Sequence, residues 1–293
     1  MDILISDYSL FIIAISWLIF ASISDLKKRE VANWLSFSLI AVAIGIRAIT
    51  SVITLDYSYF FNALFFTFIF FILANVFYYT KIFAGGDAKL LIALGALFAT
   101  KPDFSYFYSP FNIPFPVIFL LNILVVASVY GIIYSIGLAL RNHSAFINSF
   151  KKVYKKTRFM LILIIFIFML AIPFFFIIRY YELLLFVALI LIFPYVYLLV
   201  RAVEDSCMIK EVAASDLTEG DWIINSVKVR GRIINPSVDG LSKEDIALLR
   251  KNNKIVAVKY GIPFVPVFLI TAVLSVFFGN LFYVIASFLF NLL

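Results

Sequence analysis

Long apolar runs separated by short polar loops fill the first two hundred residues and return near the C-terminal end. Most of these runs have about 18 residues or more, the length an α-helix needs to cross ~30 Å of hydrocarbon. The fourth run is short and contains glycine, so its depth stays open, although its residues favour a helix. The pattern predicts an all-α polytopic membrane protein with about six to eight transmembrane helices. The runs cover residues 7–24, 33–54, 58–80, 86–99, 113–140, 158–178, 182–200 and 263–291.

Composition agrees with a membrane location. Hydrophobic residues make up 64% of the 293 residues, and mean hydropathy is +1.07, whereas a soluble domain is roughly half apolar. No basic segment precedes the first run, and no small-residue cleavage site follows it. We therefore expect the first run to be a retained transmembrane helix and not a removed secretion signal.

One polar stretch, residues 201–260, interrupts the apolar pattern. Polar and apolar residues alternate over 227–233 and 254–259, which predicts two half-buried strands. Ser242 followed by Asp245 is typical of a helix start. We therefore expect three parts: a transmembrane bundle over 1–200, a small soluble cytoplasmic α+β insertion over 201–260, and a C-terminal transmembrane helix over 261–293.

Basic residues are concentrated in every second loop, and this pattern predicts the orientation of the chain in the membrane. The first, third and fifth loops are basic, whereas the second, fourth and sixth are acidic or balanced by pairs such as Arg179 with Glu182. Cytoplasmic loops carry the excess of Lys and Arg, so both termini are expected outside. The net charge of +7 is explained by this bias, so we expect the lipid bilayer, and not nucleic acid, as a partner. If the fourth run does not cross, the loops that follow it change sides.

The inventory of reactive side chains is small. The chain has one cysteine, Cys207, and one histidine, His143, which lies in a basic loop. An intrachain disulfide is excluded, and a zinc site or a histidine-dependent catalytic triad is disfavoured. We expect no metal and no cofactor, so the available chemistry is that of carboxylates, or there is none.

Two aspartates stand at helix ends on the expected cytoplasmic side. Asp25 directly follows the first run, and Asp87 stands at the start of the fourth, directly after Gly85 and Gly86. Either could be a solvated acid neutralised by nearby lysines, and the glycines could form a plain turn. Alternatively, glycine permits a close backbone approach beside the acid. Two nearby carboxylates cannot both be ionised, and such a pair can share the proton transfers of aspartyl proteolysis.

At these residues the chain resembles the archaeal type IV prepilin and preflagellin peptidases, membrane aspartyl proteases of the GxGD class. The stretch Asp25-Leu26-Lys27-Lys28-Arg29-Glu30-Val31-Ala32-Asn33 is similar to the first-aspartate motif, with Ala32 in place of the usual proline. The stretch Ala84-Gly85-Gly86-Asp87-Ala88-Lys89 is similar to the second, with Ala84 in place of its first glycine. Residues 218–221, 240–245 and 261–266 resemble the polar insertion and the start of the last helix in archaeal members.

The resemblance implies an aspartic endopeptidase that cleaves class III signal peptides of pilin or archaellin precursors at the cytoplasmic face of the plasma membrane. It implies Asp25 and Asp87 as catalytic residues, with Gly85, Gly86 and Lys89 as a supporting loop. Lys28 and Glu30 are candidate substrate contacts. Glu30 could instead pair with a neighbouring lysine, and Lys89 could instead extend toward the membrane surface.

Two other functions remain open from the sequence. Asp25 and Asp87 could form an ion or proton site of a transporter, although such sites lie near the midplane between repeats, and no repeat is found here. The chain could also be a non-enzymatic scaffold that presents residues 201–260 to a partner. Among the remaining polar residues, we expect Arg47 to extend toward the interface and Asn62, Asn75 and Asn122 to bond between helices.

Overall fold

The computed structural model describes residues 3–104, 113–178, 181–237 and 239–291. The chain divides into two compact units, Met1–Tyr130 with Pro263–Leu293, and Gly131–Ile262. The helices are α1 (Ile3–Lys28), α2 (Asn33–Thr54), α3 (Ser58–Tyr79), α4 (Gly85–Leu97), α5 (Phe115–Arg141), α6 (His143–Ile178), α7 (Tyr181–Cys207), α8 (Lys243–Lys251), α9 (Val265–Phe278) and α10 (Leu281–Asn291). The strands are β1 (Ile209–Ala213), β2 (Trp222–Ile223), β3 (Val227–Val229), β4 (Arg232–Ile234) and β5 (Ile255–Lys259).

Several helices have the length and composition of membrane spans. Among the described residues, α1, α2, α3 and α5 qualify, and the bent pair α9–α10 makes a fifth span if it is counted as one. The fold is therefore that of a multi-pass helical protein. Helices α6 and α7 cover the sixth and seventh apolar runs, but Arg179 of the expected loop between them lies outside the described residues. The predicted total of six to eight spans stays a prediction.

Helix α4 is buried in the first unit. It has 13 residues, so at 1.5 Å per residue it is ~20 Å long and cannot cross the hydrocarbon alone. Leu90, Leu91 and Leu94 have no exposed surface. A Cβ added at Gly95 would lie 2.8 Å from Cβ of Phe70 in α3, so only glycine lets these two helices approach so closely.

The chain nevertheless reaches the far end of α1 soon after α4 ends. The Asp103 N–H donates to Oδ2 of Asp7 at 2.8 Å, and the Phe104 ring stacks on Tyr8 at 4.2 Å. Asp7 and Asp25 are 18 residues apart on α1 (25 minus 7), or ~27 Å along the helix axis. The short helix and the segment after it together run along most of α1.

Arg47 lies inside the first unit and does not extend toward the interface as the sequence suggested. It is 2% exposed. Its guanidinium donates to the carbonyl oxygens of Ala96 at 2.9 Å and Leu97 at 2.6 Å, and to Oγ1 of Thr100 at 2.8 Å. The last carbonyls of a helix lack intrahelical partners and attract a cation. Arg47 therefore closes the C-terminal end of α4, which explains why a charged side chain is buried there.

The C-terminal apolar run, expected as one helix, is broken at Gly279. Helices α9 and α10 are bent by 65°, and Gly279 has a φ of 72°. Asn122 of α5 spans the break, since its side-chain amide donates to the Gly279 carbonyl at 2.7 Å and its Oδ1 accepts from the Leu281 N–H at 2.9 Å. The expected bonding between helices is confirmed for Asn122. It is wrong for Asn75, which donates to Phe71 in its own helix.

The polar stretch folds as α+β structure. Strands β1, β5 and β2 form an antiparallel sheet in that order, and β3 pairs with β4. Ser242 caps α8 by accepting the Asp245 N–H at 3.2 Å. The single strand predicted over 227–233 is wrong, because Arg230 and Gly231, with φ values of 45° and 83°, form a two-residue turn that splits it into a hairpin.

Candidate active site

Asp25 lies near the end of α1 and is bound by the start of α9. Its side chain is 6% exposed. Oδ2 accepts the N–H of Val265, the first residue of α9, at 3.0 Å. The first N–H groups of a helix have no intrahelical partner, and this end of a helix favours negative charge. The contact therefore satisfies the helix start and fixes the position of the Asp25 carboxyl group.

Asp87 is the third residue of α4 and is 9% exposed. Its Oδ2 accepts the backbone N–H of Ala84 at 3.2 Å. Burial, together with the charge of Asp25, raises the pKa of Asp87 from its ordinary 3.8 to about 7, although the Ala84 N–H opposes this rise. The charge of Asp25 therefore influences the protonation of Asp87. Asp87 therefore keeps its proton to a higher pH than an ordinary aspartate does.

The two glycines before Asp87 have different surroundings. A Cβ added at Gly86 would lie 3.1 Å from Cβ, 3.3 Å from Cγ2 and 3.4 Å from the backbone nitrogen of Val31. A Cβ added at Gly85 would meet only Tyr78, at 3.8 Å, which is an ordinary contact. Val31 follows α1, so the absence of a side chain at Gly86 lets the segment after Asp25 pack against the segment before Asp87.

A second contact joins the same two segments. Nζ of Lys89 donates to Oδ1 of Asn33 at 2.7 Å. Asn33 is the first residue of α2 and the last residue of the first-aspartate stretch, whereas Lys89 ends the second stretch. The two stretches identified in the sequence are therefore in direct contact in the fold.

Lys28, the last residue of α1, and Glu30, which follows the helix, lie at the surface. Both are exposed. The Glu30 carbonyl accepts the Ser24 hydroxyl at 2.9 Å. No ion pair joins Glu30 to Lys27 or Lys28 within the described ranges, so the expected alternative, pairing with a neighbouring lysine, is absent from this conformation. Both side chains are accessible to a polar ligand.

An aromatic cluster connects the segments that carry the acids, and sequence reasoning missed it. The ring of Phe83, just before α4, lies 4.8 Å from Phe264, just before α9. Phe268 contacts both rings, at 5.9 Å and 5.2 Å. The backbone contact of Val265 with Asp25 was also missed. Pro266 in the first turn marked a helix start there, and such a start needs an acceptor nearby.

The carboxyl groups of Asp25 and Asp87 give the first unit two side chains suited to acid–base catalysis. In the part of the chain that the structure describes, no three His, Cys, Asp or Glu side chains gather as a metal site would require. One buried carboxyl group with a raised pKa, next to another held by a helix start, can donate and accept protons in one reaction.

Comparison with known protein families matches the part of the chain that carries both aspartates. Residues 12–136 match the sequence model of the type IV leader peptidase family. The matched range contains both aspartates and helices α2, α3 and α4. No curated protein matches the chain. Although residues 12–136 make up less than half of the chain, the match supports its assignment to the type IV leader peptidase family, that is, to the prepilin peptidases.

Proposed function

We propose that this peptidase is an aspartic endopeptidase in which Asp25 and Asp87 are the catalytic pair. The observation that carries the proposal is the direct contact between the two segments that carry these buried acids, which come from different helices of the matched region. Each accepts a backbone N–H, so each carboxyl group has a fixed position. The raised pKa of Asp87 is the property expected of one member of a proton-sharing pair.

The two acids take complementary roles in hydrolysis. Asp25, held by the start of α9, is the ionised member and accepts a proton from the attacking water. Asp87 is the protonated member and donates its proton to the oxygen of the scissile carbonyl. The water oxygen bonds to the carbonyl carbon, and the resulting tetrahedral intermediate breaks down when Asp25 passes its proton to the leaving nitrogen. As the carbon–nitrogen bond breaks and the carbonyl re-forms, Asp87 takes back a proton from a hydroxyl of the intermediate, so both acids return to their starting protonation states.

We further propose that the substrates are pilin-like or archaellin precursors, cut at class III signal peptides on the cytoplasmic side. The exposed Lys27, Lys28 and Arg29 at the end of α1 support this side, since basic residues collect in the cytoplasm. These precursors carry basic residues before the cut, and the exposed Glu30 is a candidate contact for that charge. The positive charge of Lys28 would repel a second basic group of the precursor. Glu30 and Lys28 together would then set which peptide bond of the precursor lies at the two aspartates.

Co-expression of candidate precursors with the peptidase tests this proposal. Asp25→Asn and Asp87→Asn should each abolish the mobility shift that accompanies cleavage, while the variants remain in the membrane fraction at normal amounts. Asp7→Asn is the matched control, because Asp7 is another buried acid of α1, 5% exposed, at the helix end remote from Asp25. Processing by either of the first two variants, or its loss in the control at normal protein levels, would contradict the proposal.

A further inference from the structure

The first half of α6 presents a strongly basic face. Five basic residues within eight positions are all exposed: Lys151, Lys152, Lys155, Lys156 and Arg158. At 100° per residue, these positions fall within roughly 160° of the helix circumference. We call this set the α6 basic face. It is a continuous charged surface and not a ring around the helix.

The opposite face of the same helix segment is packed. Val153 is 8% exposed and Leu161 is 6% exposed, and both join Leu198 of α7 in one apolar cluster. Phe150 packs against this cluster as well. The packing fixes the rotation of α6 within the second unit, so the basic face is held outward.

In the part of the chain that the structure describes, no acidic side chain compensates the charge of this face. Residues 141–178 contain no Asp or Glu, and among the described residues none of the five joins an ion pair. Other basic residues of the same unit do have such partners. Arg201 pairs with Glu204 at 2.8 Å, and Lys243 pairs with Glu219 at 3.5 Å. Five unpaired cations side by side repel one another, so a polyanionic partner would relieve the repulsion.

The position of the face identifies that partner. Directly after Arg158, the helix becomes apolar and exposed, with Phe159 77% and Ile162 62% accessible. No charged residue occurs from 159 to 178, a stretch long enough for ~30 Å of hydrocarbon. With this stretch in the hydrocarbon, the five cations would lie where acyl chains give way to headgroups. A binding site for an acidic protein would not need lipid-facing residues directly after the cations.

We propose that the α6 basic face binds the headgroups of anionic phospholipids. Clusters of Lys and Arg beside a membrane helix attract anionic lipids, and each lysine contributes about fivefold in affinity. The site lies in the second unit and does not depend on the proposed catalytic pair. It would enrich anionic lipid around α6 and fix the depth of this helix in the bilayer.

The test compares lipid retention by the full-length protein in mixed micelles that contain equal amounts of phosphatidylglycerol and phosphatidylcholine. Native mass spectrometry counts the lipids that stay bound. The variant replaces Lys151, Lys152, Lys155 and Lys156 with Gln. The matched control, which removes the same charge from exposed sites of the α+β region, replaces Lys228, Lys243, Lys251 and Lys254 with Gln.

We expect the wild type and the control to prefer phosphatidylglycerol and the α6 variant to lose at least about tenfold of that preference. Equal preference in all three proteins, or an equal loss in both variants, would overturn the proposal. If the α6 variant does not fold, the wild type is measured in increasing salt. Screening by salt should weaken the preference for phosphatidylglycerol. A preference that does not change with salt would also overturn the proposal.

Discussion

Replacement of Gly86 by alanine tests whether the contact between the two aspartate segments controls activity. The new Cβ would lie 3.1 Å from Cβ and 3.4 Å from the backbone nitrogen of Val31. These distances are a few tenths of an ångström too short, and the backbone cannot turn away as a long side chain can. The segment after Asp25 must therefore move relative to Asp87.

Gly85→Ala is the matched comparison one residue earlier. Its new Cβ meets only Tyr78, at 3.8 Å. Both substitutions place alanine in the first turn of α4, and alanine is favoured over glycine in a helix by up to ~1 kcal/mol. Gly85→Ala keeps this gain, whereas Gly86→Ala also incurs ~1–3 kcal/mol for overpacking. The two variants should therefore differ in unfolding free energy by about 1–3 kcal/mol.

The effect on catalysis should be larger than the effect on stability. A displacement of ~1 Å in a catalytic group can cost about a hundredfold in rate, so a shift of a few tenths of an ångström predicts roughly a tenfold loss for Gly86→Ala. Thermal unfolding in detergent measures stability, and gel mobility of a cleaved precursor measures the rate. Gly85→Ala should match or exceed the wild type in stability and should retain its cleavage rate.

Val31→Ala in the Gly86→Ala background provides a further check. It removes Cγ2, which lies 3.3 Å from the added carbon, but leaves the Val31 Cβ in place, so we expect partial recovery of the cleavage rate. If Gly85→Ala and Gly86→Ala have the same stability and the same activity, the close approach of Val31 does not organise the site and the reasoning is refuted.

Three further predictions concern Asp87, Arg47 and Asn122. The pKa of Asp87 is about 7 in the fold, above its ordinary 3.8, so the wild type should lose stability as pH rises through this window. The melting temperature of Asp87→Asn should not show that loss and should exceed that of the wild type at about pH 8. Arg47→Met should destabilise by roughly 3–5 kcal/mol, because it leaves the final carbonyls of α4 unpaired, and unchanged denaturant unfolding would contradict this role. Asn122→Leu should destabilise by about 2–4 kcal/mol through the unpaired groups at the helix break, whereas Asn75→Leu should change the melting temperature little.

The sequence predicts features that depend on neighbouring residues. The membrane helices follow from continuous apolar runs, and the start of α8 follows from Ser242 and Asp245. Asp25 and Asp87 stand out because acids are rare at the ends of such runs. In each case the signal lies within a few residues of the structure that it specifies.

The sequence does not predict features that depend on contacts between distant segments. The Asp25 carboxyl group binds the N–H of Val265, which is 240 residues away. No local sequence pattern predicts this contact. Arg47 is buried only because the end of α4 lies beside it. The break at Gly279 requires an amide from α5. Gly231, by contrast, was an available turn signal inside the strand pattern over 227–233, and it should have outweighed the alternation.

The most direct test of the central claim compares cleavage by purified wild type, Asp25→Asn, Asp87→Asn and the double variant. Residues that act as one unit give non-additive losses, so each single variant should fall by at least about a thousandfold and should equal the double variant. A single variant that cleaves measurably faster than the double variant would show that one carboxyl group works without the other, and would contradict the shared-proton pair.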